Sequence, residues 1–346
     1  MITMNMEEIA RKVAQTAYGL DSLIDIKHLP QGRVNLTFLV RTPREAFVLQ
    51  RLHPVFGKDG AVVQNMVAVT ARLAAKGVPV PRVVRTRNGD WWVEEDGLWR
   101  LMTFLPGRPP ERRSVKAGAE AACSLGRFHR VLAEDPPHLA PLPPADHNRD
   151  APASPHMWDS VLTRYEHRPR FERAAPVLKK GRTLARRLPQ FSTITQAILH
   201  GDPKMENFLF DENGVVSGLI DLDIVRPGTL LWELADALRS WAGISGPGDQ
   251  TALSQDIFVA AVSSYRQHGL DLSPEEWSQL PAATRAVALD LARRYLTDFF
   301  EESYFAWDRD QYPSLAEQNL RRGTSLVRLA EDLESKEQTL VELIGS

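Results

Sequence analysis

Only one cysteine, Cys123, occurs in the 346 residues, so no intrachain disulfide can form and a reducing compartment is expected. Cys123 stands in an apolar helical stretch and reads as core. Long apolar runs are missing too: nowhere do about 18 uncharged apolar residues follow one another, so no membrane-spanning helix is expected. The first twenty residues carry Glu7 and Glu8 and no continuous apolar segment, so a secretory leader is not expected either and the cytoplasm is the expected location. An excess of charge of one sign is also absent. With 42 basic and 44 acidic side chains the formal charge is −2, and no global field argues for a nucleic-acid or membrane partner. The one basic concentration (Arg164, Arg168, Arg170, Arg173, Lys179, Lys180, Arg182, Arg186, Arg187) reads as a solvated helical face. His138, His147 and His156 lie in a proline-broken segment whose wide spacing gives no metal-ligand geometry.

What is present is a change of period along the chain. Ile9, Val13 and Ala17 have helical spacing, after which alternation marks strands at 25–29, 36–41, 46–52, 82–85, 91–95 and 98–104. A helix over 61–76 interrupts them and ends at Gly77. Beyond Leu105-Pro106-Gly107 the pattern turns mostly helical, in 115–132 and in long amphipathic segments from 252 to 344. A boundary is therefore expected near residue 105, and no internal repeat is visible.

The stretch that carries chemistry runs from Ala197 to Asp223. Two apolar strands flank an Asn213-Gly214 turn, and antiparallel pairing about it brings Asn207 to the same end as Asp221. An amide oxygen and a carboxylate converging there suit magnesium, which prefers hard oxygen ligands and keeps places for water and phosphate oxygens. Asp202, on the preceding loop, is placed to accept the proton of an attacking hydroxyl, and Lys204 to offset charge on a transferred phosphoryl group. Asp223 binds a second ion or caps the next turn. A metal-dependent phosphoesterase using His200, Asp202, Asp221 and Asp223 around two ions is the competing chemistry, but it leaves the N-terminal sheet without a task.

His200, Gly201, Asp202, Lys204 and Asn207, with Asp221 downstream, resemble the catalytic loop and magnesium aspartate of protein kinases. The His-Gly-Asp form with Ile220-Asp221 is closer to the aminoglycoside phosphotransferase and choline kinase superfamily. The resemblance implies an α+β, two-lobed protein-kinase-like fold: an N-terminal antiparallel sheet lobe (1–105) that binds nucleotide, and a larger, mostly helical C-terminal lobe (106–346) for catalysis and substrate. It implies ATP and Mg2+ as cofactors, Asp202 as base, Asn207 and Asp221 as metal ligands with Asp223 as a further candidate, and His200 as a brace. A turn with Gly32 and Arg33 would lie over the phosphates, and Met102, Thr103 and Leu105 resemble the hinge that meets adenine. The third strand departs from the kinase pattern. It offers Gln50 and then Arg51 where a lysine is expected, and helix 61–76 has no acid to pair with one, so Gln50 with Gln64 or Asn65 would form a neutral substitute.

The resemblance narrows in Asn35-Leu36-Thr37-Phe38, Phe47 to Leu52, Val55-Phe56, Ile220 to Asp223 with Pro227-Gly228, Asp236 to Arg239, and Arg294 to Phe300 with Tyr304-Phe305. These look like N-acetylhexosamine 1-kinases, which phosphorylate the anomeric hydroxyl. For the acceptor the candidates are Asp202, Arg239, Arg294 and Tyr304, with Trp241 and Trp307 beside them. An aminoglycoside, for which Glu301, Glu302, Asp308 and Asp310 would supply an acidic groove, and a homoserine or choline-type acceptor are the alternatives. A pseudokinase binding module is the reading from a different class. The expected partners are a nucleotide and a small sugar or amino-alcohol, bound by a monomer or homodimer.

Overall fold

The structure is a computed structural model that describes residues 6–29, 35–56, 59–142, 154–192, 194–245 and 251–345. In chain order the elements begin with α1 (Met6–Thr16), β1 (Asp25–Leu29), β2 (Leu36–Arg41), β3 (Ala46–Arg51), α2 (Ala61–Ala75), β4 (Val83–Val84), β5 (Val93–Glu94) and β6 (Leu98–Thr103). There follow α3 (Val115–Glu134), α4 (Pro155–Tyr165), α5 (Phe171–Ala185), β7 (Gln196–Leu199), β8 (Phe208–Phe210), β9 (Val216–Leu219), β10 (Arg226–Thr229) and α6 (Leu230–Ala242). The chain closes with β11 (Gly243–Ser245), β12 (Thr251–Leu253), α7 (Gln255–His268), α8 (Pro274–Glu301) and α9 (Leu315–Gly345).

Two compact units result. The first comprises Met1–Pro109, Arg127–His147 and Glu206–Arg226, the second Pro110–Gly126, Asn148–Met205 and Pro227–Ser346. In the first unit six antiparallel strands form a sheet ordered β1-β2-β3-β6-β4, with β5 also on β6. Strand alternation divides its side chains between two faces. Phe38, Val40, Phe47, Leu49, Trp99 and Leu101 pack with Ala10, Val13, Ala14 and Tyr18 of the α1 region, a helical face spaced by three and four residues. Thr37, Gln50 and Arg100 are register partners across β2, β3 and β6 and share the opposite face.

The hairpin of β8 and β9 belongs to this unit because the chain leaving the sheet is bonded to it. Arg108 N–H donates to Phe210 O at 3.2 Å, and Phe210 N–H returns a bond to Arg108 O at 2.9 Å. Gly107 has φ 122°, and a Cβ there would fall 2.4 Å from Ser217 Oγ and 2.9 Å from Phe210 O, so both conformation and space require glycine. Leu219 N–H also donates to Pro79 O at 2.9 Å. The segment that a linear division at residue 105 assigns to the C-terminal lobe is thus tied to the N-terminal sheet.

The second unit is built on helices, with α8 and α9 in extensive contact. Helix α8 starts at a capping box: Ser273 Oγ accepts from Glu276 N–H at 3.1 Å and Glu276 accepts from Ser273 N–H at 3.1 Å. Glu276 also accepts from Ile194 N–H and Thr195 N–H, both at 3.0 Å, and from the Thr195 hydroxyl at 2.8 Å, just ahead of β7. Burial alone would raise this carboxyl, but the bonds from Thr195, Ile194 and Ser273 outweigh it and hold the pKa at about 2. The basic face of α4 and α5 pairs with acids of its own unit: Arg164 with Glu301, Arg170 with Glu302, Arg173 with Glu317, Lys180 with Glu331 and Arg187 with Glu334. Cys123 is half-buried rather than sealed in the core. Among the described residues no helix is long and apolar enough to cross a membrane.

Candidate active site

In the second unit β7 delivers His200, Gly201 and Asp202 onto helix α6. Gly201 has φ 86°, a left-handed turn that suits glycine. Glu233, buried in α6, accepts from His200 N–H at 2.6 Å and from Gly201 N–H at 3.1 Å. His200 is fully buried, with Asp202 N–H 3.3 Å from its Nδ1. Further along, Met205 N–H donates to Ser240 Oγ at 3.0 Å and the Trp241 indole N–H donates to Pro203 O at 2.9 Å. One helix therefore fixes the loop at both ends. Asp202 forms an ion pair with Lys204, and both side chains keep partial access to solvent.

Asn207 and Asp221 come together in the first unit. Ile220 N–H donates to Asn207 O at 3.0 Å, and Asn207 Nδ2 lies 3.4 Å from Asp221 Oδ2. Asp221 has φ 68°, the left-handed region that a residue with a side chain occupies only where its surroundings impose it, often at functional sites. Asp223 is engaged at both oxygens: Asn35 Nδ2 donates to Oδ2 at 2.7 Å and Arg100 Nη2 to Oδ1 at 2.5 Å.

The partners of Gln50 differ from those expected. Gln50 meets neither Gln64 nor Asn65. Its Oε1 accepts from Arg100 Nη2 at 2.6 Å and Nε at 3.1 Å, while its Nε2 donates to Thr37 Oγ1 at 3.1 Å. Asn65 is taken by the Ala140 backbone, donating at 2.9 Å and accepting at 2.7 Å, and Gln64 is exposed. Arg51 points to the other face, as alternation requires, and donates to Asp96 O at 2.6 Å. Met102 is buried opposite Val48 and Val83. Thr103 Oγ1 accepts from Arg82 N–H at 2.9 Å, and Leu105 follows beyond the end of β6. Gly32 and Arg33 lie outside the described residues.

Of the acceptor candidates, Arg239 is held by Asp236 at 2.7 Å and Trp241 is buried. Arg294 Nη2 donates to the Tyr304 hydroxyl at 3.1 Å, and its guanidinium lies over the rings of Tyr304 and Phe305 at 5.4 and 5.9 Å. Tyr304 is 50% exposed, and Phe305 stacks on Tyr295 at 3.8 Å. Asp298 holds this turn by accepting from the backbone N–H groups of Ser303, Tyr304 and Phe305 at 2.8, 2.8 and 3.0 Å. Glu301, Glu302 and Asp308 are paired with Arg164, Arg170 and Arg322. Glu233, Ser240 and Arg100 were missed in the sequence. The available signal was a charged residue inside an apolar run, Leu230 to Leu234 for Glu233 and Leu98 to Met102 for Arg100, where a buried charge requires a partner.

The phosphotransferase enzyme family (APH) matches residues 25–268, well over half of the chain. Among curated relatives, a homoserine kinase of Rhodopseudomonas palustris (strain HaA2) is 24% identical over 295 residues, 82% of each chain. A homoserine kinase of Pseudomonas aeruginosa (strain LESB58) is 25% identical over 269 residues, 76% of this chain and 78% of that one. Among solved structures, amicoumacin kinase hAmiN in complex with AMP-PNP, Ca2+ and Ami is similar with a TM-score of 0.61 at 14% identity, over 94% of this chain and 93% of that one. The microcompartment-associated aminopropanol kinase is similar with a TM-score of 0.61 at 17% identity, over 95% and 98%. These likenesses establish the kinase-like fold. Together with the extent of the family match they lead to one conclusion: the chain belongs to the phosphotransferase enzyme family and is a small-molecule kinase.

Proposed function

We propose that the chain transfers the γ-phosphoryl group of ATP, with Mg2+, to a sugar hydroxyl, and that its acceptor is the anomeric hydroxyl of an N-acetylhexosamine. The observation that carries the phosphoryl-transfer reading is the Asp202–Lys204 pair on a loop that Glu233, Ser240 and Trp241 hold in place. Phosphoryl transfer asks for positioning and charge stabilisation more than for covalent chemistry by the protein. In this reading Asp202 takes the proton from the attacking hydroxyl and Lys204 offsets negative charge on the transferred group.

Asn207 and Asp221 would hold the magnesium. They offer an amide oxygen and a carboxylate. A site with few protein oxygens suits a cation that keeps water and phosphate oxygens, so the residues fit. Bound magnesium supplies neutralisation of the phosphate charge. In this scheme Met102, Thr103 and Leu105 would present the end of the β6 strand to adenine. Gln50 acts through Arg100 in this scheme, while Arg51 braces the turn at Asp96.

For the acceptor, the half-exposed Tyr304, backed by Arg294, offers an aromatic face rimmed with polar groups, the surface a sugar ring needs. A second reading is favoured by the curated relatives named homoserine kinase. There Arg294 would bind the acceptor carboxylate, which a guanidinium matches in geometry. In the aminoglycoside reading Glu301, Glu302 and Asp308 already have arginine partners, and Asp310 is exposed.

The test is turnover of ATP with Mg2+ against N-acetylhexosamines, other hexoses, homoserine, choline and an aminoglycoside, with the product read by 31P NMR. A phosphate at C1 of an N-acetylhexosamine supports the first reading and O-phosphohomoserine the second. Failure with every N-acetylhexosamine refutes the first.

A further inference from the structure

We infer that Arg100 is a positioning residue of the nucleotide site: through Asp223 it sets the backbone that presents Asp221 to magnesium. The inference rests on the reading of Asn207 and Asp221 as metal ligands and goes beyond it, because it assigns Asp223 to a clamp on the Asp221 backbone rather than to a second ion.

Arg100 and Asp223 are each 2% exposed, and their ion pair of 2.5 Å is buried inside the first unit. Around it the polar groups close into a ring. His53 N–H donates to Asn35 Oδ1 at 2.9 Å, and Asn35 Nδ2 donates to Asp223. Asp223 accepts from Arg100, Arg100 donates to Gln50, and Gln50 donates to Thr37. The Thr37 hydroxyl donates back to Asn35 O at 3.4 Å. Thr37, Gln50 and Arg100 are successive register partners on three adjacent strands, so a rigid sheet supplies the guanidinium. Asp223 stands two residues beyond Asp221, whose left-handed backbone persists only if both flanks are held. One flank is the bond from Ile220 N–H to Asn207 O, and the clamp on Asp223 is the other.

Packing alone does not explain the choice of arginine. Arg100 Nη1 is buried without a hydrogen-bond partner among the described residues, and well-packed apolar side chains usually replace a buried ion pair at no loss of stability. Holding Asp221 gives the pair a reason to be there.

The test is isothermal titration with the non-hydrolysable analogue AMP-PNP, with and without Mg2+, on the full chain and on Arg100→Met, Arg100→Lys, Asp223→Asn and the Arg100→Met/Asp223→Asn double variant, with Tm recorded for each. Positioning predicts that Arg100→Met and Asp223→Asn each raise half-saturating Mg2+ by about tenfold, equivalent to ~1.4 kcal/mol. Metal-free AMP-PNP affinity should stay within about twofold of wild type, well under 1 kcal/mol. The double variant should be no worse than either single, and Arg100→Lys should recover part of the loss, since an ammonium pairs with Asp223 without also bridging Gln50. A lowered Tm with unchanged Mg2+ dependence would overturn the inference in favour of a structural role. An equal loss of metal-free affinity would overturn it in favour of direct nucleotide contact. Where Arg100→Met does not fold, Arg100→Lys and Asn35→Ala decide by the same criteria. A wild-type chain whose AMP-PNP affinity ignores Mg2+ would overturn the underlying ligand reading, a result that needs no variant to detect.

Discussion

The Asn207 side-chain amide lies 3.4 Å from the Asp221 carboxylate, at the end of the β8–β9 hairpin opposite its Asn213-Gly214 turn. Two residues 14 apart in sequence are brought together by antiparallel pairing, so the local fold builds the pair before any ligand arrives. Asp221→Asn tests the pair cleanly, because asparagine tolerates the left-handed backbone while removing the charge. It is expected to abolish the gain in ATP affinity that Mg2+ produces, with Tm close to wild type. Asp221→Ala should lose the same binding and about 1 kcal/mol more of stability from backbone strain. Unchanged ATP-Mg affinity in both variants would contradict the ligand role.

Glu233 holds the backbone N–H groups of His200 and Gly201 from a buried position. Glu233→Ala leaves those donors without their acceptor, which costs about 2 kcal/mol or more of folding stability. The loop then loses the geometry that positions Asp202, so kcat should fall far more than KM changes. Glu233→Gln keeps one acceptor oxygen and should lie between. Denaturant melts with steady-state kinetics check this, and a variant with normal kcat would show that the loop holds its shape without Glu233.

Much of the first unit was legible because its strands alternate cleanly and glycine turns punctuate them. The expected β1, β2, β3 and β6 match the observed strands to within a residue, as does α2. Strands expected over 82–85 and 91–95 shrink to Val83–Val84 and Val93–Glu94, since pairing on β6 reaches only those residues. The Asn207–Asp221 pair was readable because a turn alone sets it. The Arg100 ring was not, because its bonds join residues 123 and 188 apart, a separation that local period does not encode. For the same reason the bonds of Glu233 to residues 32 and 33 positions away are not encoded in the local helical pattern, although its apolar neighbours mark it as buried.

Glu276 joins the start of α8 to the strand that feeds the catalytic loop, and its pKa of about 2 lies below its ordinary 4.5. A lowered carboxylate stabilises the fold fully above its unfolded pKa, and that contribution is lost as pH falls toward the folded value. The difference corresponds to about 3 kcal/mol at neutral pH. Urea unfolding of wild type and Glu276→Gln should therefore differ by roughly that amount at pH 6, and the gap should narrow steadily as pH drops below about 4.5. A gap independent of pH would mean that the carboxylate charge plays no part.

The central claim is that Asp202 takes the acceptor proton, and the most direct measurement compares Asp202→Asn with wild type at saturating ATP, Mg2+ and the preferred acceptor, with nucleotide affinity determined alongside. The account predicts that kcat falls by about 10² to 10⁴ while the ATP-Mg Kd stays within about threefold. Turnover within about tenfold of wild type, with the nucleotide bound normally, would contradict it.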